Sequence, residues 1–299
     1  MTGTDQPRVG FIGLGIMGSL KAMNLARAGF GLTVTTRTPG KAERWVAEHG
    51  GTAVATPADV ARASDVLITM VVDGAQVEEV LLGEDGVVHG AAEGLLCIDM
   101  STIAPGDARR IGAELAGRGI GFVDAPVTGS TPKATDGTLT IMAGGSDEDI
   151  ARARPVFEAM GEVILHVGPL AHGQTVKVIS NAVSATNAST LAQALVVGRT
   201  LGVDVDALVE VMRTGSAGSA MLNLKAAPML AHDYTTLFKT EHMLKDVRLA
   251  LEEGQAAGVP FPAAAATREM LTAAMGRGLG DDDFIALLDV VEGLAGRRL

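Results

Sequence analysis

The sequence predicts an α/β protein in two parts, a doubly wound parallel sheet followed by an all-helical region, with one long helix joining them. Two observations predict this division. From residue 8 to about residue 168, short apolar runs alternate with helical stretches, whereas no strand pattern follows Gly168. Strands that alternate with helices form parallel sheets whose two faces are covered by those helices.

The apolar runs of the first part are its predicted strands. They are continuous rather than alternating, as expected for strands that are buried on both faces of a sheet. They occupy residues 9–12, 32–35, 66–70, 95–98, 121–124 and 139–142. The intervening segments are predicted to be helices; in residues 105–117, for example, a proline stands at the start, where a helix tolerates it.

The second part is predicted to contain helices alone. Residues 173–201 have no proline and one internal glycine near the end, Gly198, which favours a single helix of about 28 residues and about 42 Å. Further helices are predicted at residues 204–213, 220–231, 242–257, 262–275 and 282–294. We therefore expect two domains, residues 1–168 and 169–299, with the long helix as their connector.

Composition limits the classes of function. The 299-residue chain is 47% hydrophobic but 3% aromatic, so its cores must be built from aliphatic side chains and methionine. A net charge of −11 argues against a nucleic-acid partner, which needs a basic surface, whereas a small anionic ligand needs only one basic pocket. Cys97 is the only cysteine and lies in an apolar run, which predicts a buried structural thiol.

The sequence predicts a cytoplasmic location and no membrane partner. Residues 1–8 are polar and lack the apolar core of a signal peptide. No apolar run approaches the roughly 20 residues of a membrane-spanning helix, and a lone cysteine suits a reducing compartment. The six histidines show no metal-binding spacing and no G-x-S-x-G elbow occurs, so we expect neither a metal site nor a hydrolase triad.

A phosphate-binding turn follows the first predicted strand and precedes a predicted helix. It is the G-x-G-x-x-G motif Gly13-Leu14-Gly15-Ile16-Met17-Gly18. In this context Gly13 permits the tight turn, Gly15 lets the backbone approach a pyrophosphate, and Gly18 lets the helix pack close to the strand. The first domain is therefore predicted to be a Rossmann-type dinucleotide-binding domain, with the anion bound at the helix N-terminus.

The end of the second predicted strand bears on the choice of dinucleotide. An NAD-preferring site carries an acidic residue about 20 residues after its first glycines, yet no Asp or Glu lies between Gly13 and Glu43. Arg37 stands where that acid is expected, with Thr38 and Lys41 nearby. Positive charge there suits a ribose 2′-phosphate, so NADP is the predicted cofactor and NAD the other possibility.

Four separated segments of the chain bear on its family. They are the glycine motif with Asn24-Leu25, the DAPVTG of residues 124–129, the GQTVKVISN of residues 173–181, and Lys245-Asp246. Together they resemble the β-hydroxyacid dehydrogenase family, the group that includes 3-hydroxyisobutyrate dehydrogenase and tartronate semialdehyde reductase. The resemblance covers nearly the whole chain. It implies hydride transfer between a nicotinamide and a small hydroxy acid or its semialdehyde, in a homodimer or homotetramer.

The resemblance also implies roles for particular residues. Lys177 is implied to be the general acid/base, and Asn181 to help to hold the substrate. Thr128, Gly129 and the following residue, Ser130, are implied to bind a substrate carboxylate.

Three further positions are implied to lie along the cofactor. Val71 falls where the chain passes the adenine ribose, Thr102 close to the nicotinamide, and Lys245 where a lysine closes over the cofactor. A departure from the family is Lys21, which occupies a position that is usually apolar.

The substrate segment also departs from the family. Ser130 stands where a glycine is frequent and adds a side chain to the carboxylate cradle. Residues 131–139 are more similar to relatives that act on succinic semialdehyde or glyoxylate than to a valine-pathway enzyme.

The chemistry itself needs a proton donor beside the hydride carrier. Burial lowers the pKa of a lysine toward the working range of an acid/base, and Lys177 lies on an otherwise apolar, small-residue stretch. Asn181 follows four residues later and so shares one face of the helix. Gly173 lies one turn earlier on that face, where we expect it to leave room for a ligand.

Two other functions stay open at this stage. An imine reductase can be built on the same scaffold, although such relatives usually lack the lysine. A non-catalytic NADP-binding module is the second alternative, and it would be expected to lose Lys177 and Asn181, both of which are present.

Overall fold

The computed structural model describes residues 6–299, which form two compact units, the first ending at Lys177 and the second running from Val178 to Leu299. Residues 1–5, part of the polar N-terminus noted above, lie outside the described residues. The division between the units falls within the long helix, after Lys177. None of the helices in residues 6–299 has the length and apolar character that crossing a bilayer requires.

Nine strands of the first unit form one sheet within the described residues. They are β1 (Val9–Ile12), β2 (Leu32–Thr35), β3 (Thr52–Ala53), β4 (Val66–Thr69), β5 (Leu96–Asp99), β6 (Gly121–Asp124), β7 (Val127–Thr128), β8 (Leu139–Gly144) and β9 (Gly161–Gly168). The order β3-β2-β1-β4-β5-β6 is parallel throughout. β8 extends it, antiparallel to β6 and β7 and parallel to β9.

Helices cover both faces of this sheet, which confirms the predicted doubly wound fold. They are α1 (Ile16–Arg27), α2 (Lys41–His49), α3 (Pro57–Arg62), α4 (Gly74–Leu82), α5 (Pro105–Ala116), α6 (Ser130–Asp136) and α7 (Asp147–Glu158), with a 3₁₀ helix at Val87–His89. Neighbouring strand residues enter different cores: Ile68 packs with α1 and α7, whereas Leu67 packs with α3, α4 and α5. Cys97 is buried in the second of these cores, as predicted.

The second unit is helical, also as predicted. Its elements are α8 (His172–Thr200, which begins in the first unit), α9 (Val205–Thr214), α10 (Ala220–Ala231), α11 (Thr240–Ala256), α12 (Pro262–Gly276) and α13 (Leu287–Ala295), with a 3₁₀ helix at Phe284–Ala286. One apolar core joins them. A buried ion pair, with 2.8 Å between Lys225 Nζ and Asp283 Oδ2, lies within this unit.

Some predicted bounds were wrong. The last helix was expected from residue 282, but Asp283 accepts hydrogen bonds from Lys225 and from the backbone of Leu237 and Phe238. These bonds hold Asp283 outside the helix, so a 3₁₀ turn comes first and α13 begins at Leu287. The strands β3, β7 and β9 were not predicted, and β5 begins one residue later than expected.

Candidate active site

The glycine turn between β1 and α1 is built as its motif predicts. Gly13 has a φ of +101°, and a Cβ there would lie 2.2 Å from the carbonyl oxygen of Met70. A Cβ at Gly18 would lie 2.0 Å from the carbonyl oxygen of Gly13. A Cβ at Gly15 would meet nothing within 4 Å, so the backbone faces open space at this one point of the turn. Leu14 is buried, whereas Ile16 is exposed and Met17 half-buried.

The N-terminus of α1 is left uncapped by the protein. Its N-cap is Gly15, no side chain accepts a hydrogen bond from its first turn, and that turn contains no acidic residue. By contrast α3, α4 and α7 are capped by Thr56, Asp73 and Ser146. Free backbone N–H groups at a helix N-terminus bind anions. The turn therefore fits a dinucleotide pyrophosphate.

The residues after β2 lie at the same edge of the sheet. The Gly13 amide donates to the Thr35 carbonyl at 3.0 Å, and the Leu14 amide donates to Thr36 Oγ1 at 3.4 Å. Arg37 and Thr38 follow and are exposed. Lys41, half-buried, begins α2. The basic residues predicted to bind a 2′-phosphate thus follow β2, the strand that pairs with β1, and the glycine turn follows β1.

The loops after β4 and β5 are joined by a hydrogen bond. The Val71 amide donates to Ser101 Oγ at 2.9 Å. Asp99, at the end of β5, is wholly buried and accepts from Thr69 Oγ1 at 2.8 Å and from the Ser101 amide at 3.1 Å. Burial raises the pKa of Asp99, although these hydrogen bonds oppose the rise. Thr102, half-buried, follows in the same loop.

The first turn of α8 is fixed to the carboxyl ends of β5 and β6. Asp124, the last residue of β6, accepts from the Ala171 amide at 2.6 Å and from the Gln174 amide at 2.7 Å. Gln174 donates to the Ser101 carbonyl at 2.8 Å and accepts from the Ile103 amide at 3.1 Å. Burial raises the pKa of Asp124 to about 7 against the effect of the two backbone hydrogen bonds.

The expectation for Gly173 was wrong. A Cβ there would lie 2.4 Å from the Met142 carbonyl oxygen and 2.7 Å from that of Asp124. The glycine is therefore needed because α8 passes directly over the strand ends, and protein rather than a ligand fills the space beside it.

Lys177 lies one turn after Gln174 on α8. Its side chain belongs to the buried set, with 8% of the residue exposed. The partial burial expected from the sequence is thus confirmed, and α8 begins at His172, one residue before the predicted start at residue 173. Because Asp124 and Gln174 fix the preceding turn, the position of the Lys177 backbone is set by the end of the sheet.

Within the second unit, Asn181 and Lys245 both meet Asp246. Asn181 Nδ2 donates to Asp246 Oδ2 at 2.6 Å, and Lys245 Nζ lies 3.2 Å from Asp246 Oδ1. Asn181 and Asp246 are buried, whereas Lys245 is half-buried. Asp246 therefore orients the amide predicted to hold the substrate.

The predicted carboxylate cradle lies where β7 leads into α6. Thr128 is exposed, and Gly129 and Ser130 are half-buried. Gly129 has a φ of +134° and Ser130 a φ of +55°, a conformation that is uncommon for serine. No side chain caps α6. These two positive φ angles turn the chain into the first turn of α6, whose backbone amides no side chain caps.

The sequence reasoning assigned no role to several polar residues that are buried around these positions. They are Lys21, Asp99, Asp124, Gln174 and Asp246. For two of them the sequence carries a signal, because each is an acidic residue at the end of an apolar run. Asp99 and Asp124 end neighbouring parallel strands and are paired in register. The other three contacts depend on side chains distant in sequence.

One cluster of possible metal ligands was not predicted from the spacing of the histidines. His232, Asp289 and Glu292 bring their ligand atoms within 4.8 Å of one another in the second unit. His232 Nε2 is hydrogen bonded to Glu292 Oε1 at 2.8 Å, and Tyr234 donates to Asp289 at 2.5 Å. These hydrogen bonds account for the cluster without an ion.

The strand order β3-β2-β1-β4-β5-β6, with an uncapped glycine turn after β1, defines a dinucleotide-binding protein of the doubly wound class. Comparison with known families agrees. Residues 8–168 match the NAD binding domain of 6-phosphogluconate dehydrogenase, and residues 171–291 match the NAD-binding of NADP-dependent 3-hydroxyisobutyrate dehydrogenase.

Individual proteins are similar over nearly their whole length. The chain is 36% identical to 2-hydroxy-3-oxopropionate reductase of Escherichia coli K12, covering 98% of this chain and 99% of the relative. It is 34% identical to glyoxylate/succinic semialdehyde reductase 1 of Arabidopsis thaliana, covering 95% and 98%. A solved 3-hydroxyisobutyrate dehydrogenase of Mycobacterium tuberculosis with L-serine has a TM-score of 0.87 at 30% identity, covering 96% and 99%.

The chain belongs to the β-hydroxyacid dehydrogenase family. It is an NAD(P)-dependent oxidoreductase, as the sequence predicted.

Proposed function

We propose that the protein reduces small aldehydes that carry a carboxylate, with NADPH as the preferred cofactor, and oxidises the corresponding hydroxy acids in reverse. The observation that carries this proposal is the buried amine of Lys177, on the helix turn that follows the anchor of α8 to the ends of β5 and β6. Cofactors of doubly wound folds bind at the carboxyl ends of the strands. A buried amine at that edge is suited to proton transfer.

The proposed chemistry divides between cofactor and protein. When bound, the dihydronicotinamide supplies the hydride that reduces the carbonyl carbon. Lys177 donates a proton to the carbonyl oxygen, which becomes the hydroxyl of the product, and in the oxidative direction it takes that proton back. Asn181, oriented by Asp246, donates a hydrogen bond to the substrate.

The remaining positions are proposed to bind and orient the ligands. Thr128, Gly129 and Ser130 bind the substrate carboxylate through hydroxyl and amide groups. The half-buried side chains of Val71 and Thr102 line the adenine ribose and the nicotinamide, respectively.

The groups proposed to bind the cofactor phosphates are backbone amides and basic side chains, which complement the negative charge of the phosphates. The amides after Gly15 bind the pyrophosphate, and Arg37, Thr38 and Lys41 bind the 2′-phosphate that distinguishes NADP from NAD. Lys245 closes over the cofactor. The absence of acidic residues in the first turn of α1 supports a highly charged anion there.

The substrate class rests on the relatives. Their names refer to 2-hydroxy-3-oxopropionate, glyoxylate and succinic semialdehyde, all of them small carbonyl compounds with a carboxylate. The similarity of residues 131–139 to semialdehyde-reducing relatives supports the same class. We propose a cytoplasmic location, with residues 1–168 binding the dinucleotide and residues 169–299 serving substrate binding and oligomerisation.

A homodimer or homotetramer is proposed from the surface of α8. Ile179, Val183 and Val197 lie along one face of this helix and are exposed, and Leu201 follows its last turn. Apolar side chains on an exposed helix face are typical of a subunit interface.

The functional proposal is tested by following NADPH oxidation with 2-hydroxy-3-oxopropionate, succinic semialdehyde and glyoxylate. Butanal, which lacks a carboxylate, and the cyclic imine 1-pyrroline are the controls. We expect at least one carboxylated aldehyde to exceed butanal in kcat/KM by about 100-fold or more, because a charge-assisted contact contributes several kcal/mol. Turnover of 1-pyrroline alone would support the imine reductase alternative, and NADPH binding without any turnover would support a binding module.

A further inference from the structure

Asn24 is a buried amide on α1, the helix that follows the glycine turn. Its Nδ2 donates to the Ala134 carbonyl oxygen at 2.7 Å, across 110 positions of the sequence. Ala134 lies on α6, the helix that follows the proposed carboxylate cradle, and is wholly buried. Within the first unit, one hydrogen bond thus joins the helix of the glycine turn to the helix of the cradle.

The acceptor is a carbonyl group that α6 does not satisfy by itself. The last four carbonyl groups of a helix lack intrahelical partners, and that of Ala134 is one of the last four in α6. The next amides along the chain, those of Gly137 and Thr138, both donate to the Lys133 carbonyl instead. A Cβ at Gly137 would lie 3.5 Å from Asn24 Nδ2. Asn24 therefore caps the C-terminal end of α6 from a different helix.

α6 depends on such contacts for its position. It is seven residues long, and an isolated helix shorter than about 12–15 residues is marginally stable in water. No side chain caps its first turn, and it begins with two residues of positive φ, Gly129 and Ser130. Of its seven residues, all of them described, Ala134 alone is buried. The place of α6 is thus set by tertiary contacts around Ala134, where the Asn24 amide binds.

α1 is firmly seated at the proposed dinucleotide site. A Cβ at Gly18 would lie 2.0 Å from the carbonyl oxygen of Gly13, so the helix packs directly on the turn. Ala22 and Leu25, on either side of Asn24 in the sequence, are buried in the core beneath the sheet. The same helix therefore carries the proposed pyrophosphate site at its N-terminus and the end of α6 on its side.

We propose that Asn24 is a positioning residue for the substrate, which holds α6, and with it the carboxylate cradle, in a fixed place relative to the dinucleotide site. This inference rests on the proposed function, in which Thr128, Gly129 and Ser130 bind the substrate carboxylate. A site that is correctly formed for only a fraction of the time binds its ligand more weakly by that fraction. Loss of the Asn24 hydrogen bond should therefore weaken substrate binding without removing any group that touches the substrate.

The first test measures backbone hydrogen exchange in the cofactor-free protein by mass spectrometry. Asn24→Leu keeps a buried side chain of similar size but leaves the Ala134 carbonyl without its donor, which is destabilising. We expect the amides of α6 to exchange about tenfold faster, because the helix opens more often, while those of α5 are unchanged. Exchange of α6 at the original rate would overturn the proposal.

The matched control is Ser64→Ala, which removes another buried hydrogen bond from a side chain to a carbonyl group. Ser64 Oγ donates to the Val60 carbonyl oxygen at 2.6 Å, in the first unit and away from α6. We expect this variant to lower the stability of the unit and to leave exchange in α6 unchanged. Faster exchange of α6 in both variants alike would overturn the proposal, because it would report general destabilisation.

Steady-state kinetics at saturating NADPH give the functional readout. In Asn24→Leu we expect the KM of the best carboxylated aldehyde to rise about tenfold with kcat within about twofold, because a binding contact is weakened equally in the ground and transition states. The kcat/KM for butanal, which does not use the cradle, and the Kd for NADPH should be unchanged. A merely structural role would lower the active fraction, and so the apparent kcat, with KM unchanged, as we expect for Ser64→Ala.

A second variant disturbs the same end of α6 without altering α1. Gly137 has a φ of +70°, which is strained for alanine, and the added Cβ would contact the Asn24 amide. In Gly137→Ala we expect faster exchange of α6 and a higher KM, each by about fivefold. If Asn24→Leu does not fold, this variant decides, and unchanged exchange and KM in it would overturn the proposal.

The unsubstituted protein separates this proposal from the proposed function. If it reduced carboxylated aldehydes no better than butanal, the proposed function would fail, and the substrate role of Asn24 with it. A clear preference for carboxylated aldehydes that Asn24→Leu leaves intact, with its KM unchanged, would refute the role of Asn24 alone.

Discussion

Arg37 lies on the surface two residues beyond β2, and the cofactor preference depends on its charge. Replacing it with aspartate removes the positive charge that attracts a 2′-phosphate and introduces a carboxylate that accepts a hydrogen bond from a 2′-hydroxyl. In Arg37→Asp we expect the ratio of kcat/KM for NADPH to that for NADH to fall about 10- to 100-fold, the worth of one charge-assisted contact.

The matched control is Arg27→Asp, which makes the same change of charge in the last turn of α1. It should leave the ratio within about twofold, because solvent screens an exposed charge so far from the turn. Equal ratios in Arg37→Asp and in the unsubstituted protein would disprove the contact.

Ser130 combines an uncommon backbone conformation with a proposed substrate contact. Its φ of +55° is strained for alanine but not for glycine. Ser130→Gly and Ser130→Ala both remove the hydroxyl, so we expect both to raise the KM for a carboxylated aldehyde, by about fivefold for one hydrogen bond. Steady-state kinetics at saturating NADPH provide the measurement.

Comparison of Ser130→Gly with Ser130→Ala also separates backbone strain from substrate binding. The free energy of unfolding of Ser130→Gly should exceed that of Ser130→Ala by about 1 kcal/mol, as measured by urea denaturation. Unchanged KM values in both variants would remove Ser130 from the carboxylate site.

At the scale of elements, α8 depends on the end of β6. The Asp124 carboxylate accepts hydrogen bonds from two backbone N–H groups at the start of this helix. In Asp124→Asn the side-chain NH₂ group replaces one of the two acceptor oxygens, so one backbone N–H group loses its hydrogen bond. The free energy of unfolding of the first unit should fall by about 2 kcal/mol, the cost of a buried unsatisfied group. Glu148→Gln, an exposed change in the first turn of α7, should alter it by less than about 0.5 kcal/mol. Equal effects of the two substitutions would show that the anchor contributes nothing.

The elements also show what a sequence pattern can predict. β1, β2 and β6 were predicted to the residue, because their apolar runs are buried on both sheet faces, and α10 was predicted to the residue as well. β9 was missed because it pairs with β8 alone, and Val163 and Leu165 are exposed there. The pattern that marks a doubly buried strand is absent from such an edge.

Site residues were predictable where the reason for them is local in sequence and not where it depends on distant contacts. Gly13 and Gly18 were predicted because each has a local steric reason, which the close approach of backbone atoms confirms. Lys21 had no local explanation, since its contact with Met70 and its interaction with Asp99 join distant parts of the chain. Gly173 was misinterpreted for the same reason, as strand-end carbonyl groups lie beside it.

For the whole molecule, the proposed association depends on the apolar face of α8. Val183→Glu and Val197→Glu place charges on that face, where burial against another chain would cost several kcal/mol. We expect light scattering coupled to size-exclusion chromatography to report an oligomer for the unsubstituted protein and a smaller species for these variants. Val163→Glu, a change at another exposed valine, on β9, is the control. A monomer before any substitution would contradict the proposal.

The account as a whole depends on proton transfer by Lys177, and one comparison tests this most directly. Lys177→Ala removes the amine, and Lys177→Arg keeps the charge in a group that does not release its proton at neutral pH. For both variants the account predicts a fall in kcat of about 10²- to 10⁴-fold, with the Kd for NADPH nearly unchanged. Turnover at the original rate in either variant would contradict it.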